Sequence, residues 1–122
     1  MPPYHVLVAD DDDAIRSLLA RILVHTYPTV TVWAVKDGRA ALDIYDQHQL
    51  DMLISNYNMP RLDGLALLTT LRQARRATLP ILMISASITI MPQARALGVT
   101  DFLVKPFSIP QLTALLKALL PP

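Results

Sequence analysis

Asp51-Met-Leu-Ile-Ser-Asn56-Tyr-Asn-Met-Pro-Arg-Leu-Asp-Gly64 decides the fold of this chain. Four apolar or small residues, Met52–Ser55, form a continuous run without alternation, as expected of a strand covered on both faces. Pro60 and Gly64 punctuate the turn that follows, and Asp63 is placed to cap a helix starting at Gly64. A buried strand that delivers its chain to a helix is one unit of a parallel sheet.

The same unit recurs along the chain. Val6–Ala9, Val30–Val35, Ile81–Ser85 and Phe102–Val104 are further short apolar runs. Between them, Ile15, Leu18, Leu19, Ile22 and Leu23 fall on one helical stripe, as do Leu112, Leu115, Leu116, Leu119 and Leu120. Asp37 is a second N-cap candidate, and Ser108 with Gln111 forms a capping box that tolerates Pro110 in the first turn. A short fourth helix is expected near Met91–Leu97, with Gly98 as its stop. Strands alternating with helices predict one α/β domain over residues 1–122: a doubly wound, five-stranded parallel sheet of flavodoxin-like (βα)5 type, in three α/β/α layers.

Composition supports this and removes other classes. The chain has 122 residues, 52% of them hydrophobic and only 17% charged, enough for a core and too apolar for long disorder. Lys and Arg are scattered at a net charge of +1, which argues against a nucleic-acid surface. Without cysteine there is neither disulfide nor thiolate metal site. No signal peptide opens the chain and no apolar run approaches a membrane span, so a cytoplasmic domain is expected.

In a doubly wound sheet the functional crevice lies beyond the carboxyl ends of the strands. Asp10 and Asp11 follow the first strand, Asn56 the third and Lys105 the fifth, while Ser85 ends the fourth. Clustered carboxylates suit a hard cation such as Mg²⁺, and a lysine and a hydroxyl opposite suit a phosphoryl group. Together they describe a site for phosphoryl transfer to a central carboxylate. Asp12 and Asp13 read instead as an acidic helix start. His5, His25 and His48 lack metal spacing and read as solvent-facing or edge residues. Tyr57 reads as loop cover.

These motifs, Val-Leu-Val-Ala-Asp10-Asp11, Asn56-Tyr-Asn-Met-Pro60 with Asp63-Gly64, Ile-Ser85-Ala86 and Asp-Phe102-Leu-Val-Lys105-Pro106-Phe107, resemble in order and spacing the response-regulator receiver domains of two-component signalling, including the single-domain chemotaxis regulators. The resemblance implies a signalling switch rather than an enzyme, phosphorylated by a histidine kinase or phosphotransfer protein. It implies Mg²⁺ on Asp10, Asp11 and the Asn58 carbonyl, phosphoryl contacts from Ser85 and Lys105, and a cis bond before Pro106. It makes position 56 the phosphoacceptor and Phe102 either an aromatic switch or plain core.

The family pattern has Asp where this chain has Asn56. An amide is a poor nucleophile, so this form is expected to be unphosphorylatable and to hold Mg²⁺ only weakly. Both a natural pseudo-receiver and an engineered block fit the sequence. The stretch from Ser85 to Gly98 is also short, with Ile88, Ile90 and Met91 either buried or forming a docking patch with Phe102. That patch would serve self-association or an effector through the face of helix four, strand five and helix five. The alternative function is a phosphatase of the haloacid-dehalogenase type, using Asp10 and Asp12 as Asp-x-Asp; Ala14 and the lack of room for a cap domain count against it. A flavodoxin-type nucleotide site fails because four aspartates would repel phosphate.

Overall fold

The computed structural model describes residues 3–122; Met1 and Pro2, part of the chain start discussed above, lie outside the described residues. The elements run β1 (His5–Ala9), α1 (Asp13–Thr26), β2 (Thr31–Val35), α2 (Gly38–Gln47), β3 (Met52–Asn56), α3 (Gly64–Thr69), β4 (Ile81–Ser85), α4 (Met91–Ala96), β5 (Asp101–Val104) and α5 (Ile109–Leu119). All neighbouring strands pair in parallel, in the order β2-β1-β3-β4-β5. This is the expected doubly wound sheet, with strand bounds differing by one residue.

The continuous apolar runs are explained by two cores, one on each face. Val6, Val8, Met52, Ile54, Leu82, Ile84 and Leu103 point to Leu19, Leu23, Leu112 and Leu116 of α1 and α5. Leu7, Leu53, Ile81, Met83 and Phe102 point to Ala41, Leu68 and Ala94 of α2, α3 and α4. Successive residues of β1, β3 and β4 are thus buried on opposite sides, so no polar alternation is tolerated there, while edge strand β2 stays partly exposed. Tyr27, fully buried at the end of α1, donates its hydroxyl to the Leu120 carbonyl at 2.6 Å, tying the ends of α1 and α5 together. Burial pushes its phenol from the ordinary 10 up to about 12.

Local capping follows the sequence. Asp12, Asp37, Asp63 and Ser108 each accept a backbone N–H of the helix they start, and Ser108 and Gln111 close the capping box. Two stretches depart from regular helix. After α3 the chain continues as one π-helical turn, Thr70–Ala74, and a 3-10 turn, Ile88–Ile90, precedes α4. The π-turn carries Arg72, whose guanidinium donates to the carbonyls of Gly98, Ala77 and Leu79 at 2.9, 3.0 and 2.8 Å. Gly98 has φ +100°, and a Cβ there would come within 3.2 Å of the Arg72 side chain. The left-handed backbone favours glycine here, and the close approach to Arg72 adds to that preference.

Ile88, Ile90 and Met91, read above as either buried or a docking patch, divide between two environments. Ile90 and Met91 pack against the core, whereas Ile88 is 60% exposed. The 3-10 turn, with about three residues per turn, aims Ile88 away from the sheet. Phe102 lies in the core at 7% exposure. His5 and His48 are not free in solvent: they flank Trp33 as stacked rings, His48 at 3.9 Å between centroids. Among the described residues no helix is long and apolar enough to cross a membrane.

Candidate functional site

The sheet brings the predicted residues together at one edge. Backbone pairing runs one residue past the strands: Asp10 N donates to Val35 O, Tyr57 N to Ile84 O and Lys105 N to Ser85 O. Asp10 and Asn56 stand at one level of β1 and β3, and Lys105, two residues past that level on β5, reaches Asn56 with its side chain. Gly64, at the start of α3, lies against the end of β3; a Cβ there would stand 2.5 Å from the Asn56 carbonyl oxygen. The helix can lean on this turn only as glycine.

Asn56 is 7% exposed and all its side-chain groups are engaged. Its Oδ1 accepts from Lys105 Nζ at 3.0 Å. Its Nδ2 donates to Asp11 Oδ1 at 3.2 Å and to the Asn58 carbonyl at 2.7 Å. The orientation of the amide is fixed by these partners, since a flip would set an NH₂ group against the lysine ammonium.

Asp10 is 1% exposed. Its Oδ1 accepts from Asp12 N at 2.9 Å, but Oδ2 has no hydrogen-bond partner, and the Lys105 ammonium lies 3.6 Å from it. Burial pushes the Asp10 carboxyl above its ordinary value; the Asp12 N–H and Lys105 oppose the rise, and Asp11 and Asp12 add to it. Arg16, which sequence reasoning missed, donates to the Asp10 backbone carbonyl at 2.9 Å and pairs with Asp13, pinning the loop. Its position one turn into α1, behind the aspartates, is the only signal for this role.

Ser85 is buried, and its hydroxyl is engaged by Ser87. Its hydroxyl accepts from Ser87 N at 2.9 Å and donates to Ser87 O at 3.3 Å. The bond before Pro106 is cis, as expected. Tyr57 is half-buried and packs against the α2-α3-α4 core, consistent with loop cover.

Among the described residues no group of three or more His, Cys, Asp or Glu side chains is arranged to hold a metal. The edge offers two carboxylates and a backbone carbonyl instead. That donor set, with the buried and unpartnered Asp10 Oδ2, fits a hard divalent cation, which takes oxygen ligands and keeps part of its water.

Residues 6–117 match the family described as the response regulator receiver domain. The response regulator MprA of Mycolicibacterium vanbaalenii is 38% identical over 120 residues, covering 97% of this chain and 51% of the relative. The chain thus spans about half the length of the curated relatives it matches. Among solved structures, the chemotaxis response regulator CheY4 of Vibrio cholerae superposes with TM-score 0.86 at 31% identity, over 98% of this chain and 100% of that one. The receiver domain of NtrX from Brucella abortus gives 0.85 at 30% identity, over 94% and 97%. The haloacid-dehalogenase alternative finds no support in these likenesses. Asp12, which that reading requires, spends its carboxylate capping α1.

Proposed function

The chain belongs to the response-regulator receiver family of two-component signalling, and from that premise we propose a receiver that works by docking and accepts no phosphoryl group. The observation that carries the proposal is Asn56 at the end of β3, with its amide held between Lys105, Asp11 and the Asn58 carbonyl. Position 56 is the acceptor position in this reading, and an amide there supplies no nucleophilic carboxylate. Lys105 is the phosphoryl-contacting cation of the site. Ser85 is its hydroxyl donor, which must first leave Ser87.

Mg²⁺ is the cofactor in this reading, held weakly by Asp10, Asp11 and the Asn58 carbonyl. When bound it neutralises negative charge at the edge. The missing third carboxylate lowers its affinity by roughly 1–3 kcal/mol at an effective dielectric of about 20 or higher. The domain is a cytoplasmic, non-enzymatic module without nucleic-acid contacts of its own, consistent with its scattered charges. Its upstream partner is a histidine kinase or phosphotransfer protein.

Incubation of the protein with acetyl phosphate and Mg²⁺ is expected to leave its intact mass unchanged. A labile gain of one phosphoryl group mapping to the Asn56 loop would contradict the proposal.

Output is assigned to the face of α4, β5 and α5, where Ile88 is exposed beside the partly buried Ile90 and Met91, with Phe102 packed beneath. A large exposed apolar side chain on such a face favours association. Ile88→Ser is expected to leave the circular dichroism unchanged and to reduce self-association in sedimentation. Unchanged association would remove this face from the account.

A further inference from the structure

We propose that the Asn56 carboxamide is an internal competitor for the divalent-cation position, its NH₂ group holding Asp11 and the Asn58 carbonyl together where a cation would hold them. The inference rests on the receiver reading and deepens it, turning a missing ligand into an occupied place.

The geometry carries the argument. The two acceptors of the Asn56 NH₂, at 3.2 and 2.7 Å, are two of the three oxygen donors that suit a hard cation at this edge. Both N–H groups are spent on them, and an amide NH₂ carries partial positive charge toward each oxygen. A cation coordinating Asp11 Oδ1 and the Asn58 carbonyl competes with both hydrogen bonds for the same oxygens. The amide cannot yield by rotating its oxygen inward, because Lys105 fixes Oδ1 from the other side at 3.0 Å. Only the third donor, Asp10 Oδ2, is left without a hydrogen-bond partner. Two of the three donors are thus satisfied by the chain itself, and the third marks where that satisfaction ends.

Competition and simple charge counting predict opposite effects for one substitution. By charge counting, Asn56→Ala removes the last side-chain oxygen at this position and leaves cation affinity equal or weaker. By competition, it releases Asp11 and the Asn58 carbonyl from two hydrogen bonds, one of them to a charged acceptor, and Mg²⁺ is expected to bind about tenfold more tightly than to the unsubstituted chain.

The test is calorimetric titration of Mg²⁺ into the full chain, Asn56→Ala and Asn56→Ser, with thermal unfolding recorded with and without Mg²⁺. Tighter binding by either variant, with Mg²⁺ raising its midpoint more than that of the unsubstituted protein, supports the proposal. Folded variants that bind no more tightly overturn it, as does absence of Mg²⁺ binding in every form.

A measurement on the unsubstituted protein covers the case in which the variants fail to fold. The Asn56 side-chain NH₂ resonances should be protected from solvent exchange without metal and lose that protection as Mg²⁺ saturates. An NH₂ that exchanges freely in metal-free protein would overturn the proposal. The receiver reading itself is separable, because phosphoryl labelling of Asn56→Asp can succeed even if Asn56→Ala gains no affinity.

Discussion

Arg72→Ala is expected to lower the free energy of unfolding by about 3 kcal/mol, read as a fall in the urea midpoint with little change in slope. The guanidinium ties its own π-turn to two other segments of the chain. It donates to the Gly98 carbonyl just past α4 and to the carbonyls of Ala77 and Leu79 in the connection into β4. A weaker contact at 3.3 Å reaches Thr100, whose hydroxyl in turn accepts from Ile81 N at the start of β4. Truncation leaves three carbonyls to find water, each at a cost of about 1 kcal/mol or more. With total stability of about 5–15 kcal/mol for a domain of this kind, that is a large fraction. Arg72→Lys is expected to recover little, since one ammonium cannot reproduce the planar fork that serves several acceptors. An Arg72→Ala midpoint equal to that of the unsubstituted chain would show the network to be ornamental.

Arg72 also marks where sequence reading runs out. Its acceptors lie 5, 7 and 26 residues away, in two separate segments. Nothing in the local pattern of Leu71-Arg72-Gln73 distinguishes it from a surface arginine. The same holds for the stack of His5, Trp33 and His48, which joins three elements at the sheet edge. Caps are the opposite case. Asp12, Asp37, Asp63 and Ser108 reach N–H groups two or three residues on, so the sequence holds both partners. The sheet was legible for a similar reason. A continuous apolar strand between helical stripes has only one economical place, the middle of a three-layer sandwich.

The candidate site was half legible. Strand order and strand ends alone bring Asp10, Asn56 and Lys105 to one edge. What each side chain does there depends on its rotamer. Ser85 satisfies its hydroxyl on Ser87, and Asn56 turns its NH₂ toward Asp11; neither follows from residue spacing. The exposure of Ile88 likewise depended on a 3-10 turn that apolar composition alone would not suggest.

The central claim is that one atom type at one position separates this chain from a phosphoryl acceptor. Asn56→Asp supplies the missing carboxylate while leaving the Lys105 ammonium, 3.0 Å from the present side-chain oxygen, in place. It also sets a third carboxylate beside Asp10 and Asp11, so the metal-free variant is expected to be less stable and more responsive to Mg²⁺. In the reaction, a carboxylate oxygen of the new aspartate attacks phosphorus, the bond to the acetyl oxygen breaks, and acetate leaves. The most direct measurement is the intact mass of Asn56→Asp after incubation with acetyl phosphate and Mg²⁺. The account predicts a hydroxylamine-labile gain of one phosphoryl group on the peptide containing position 56. A folded, Mg²⁺-binding Asn56→Asp protein whose mass does not change would contradict it.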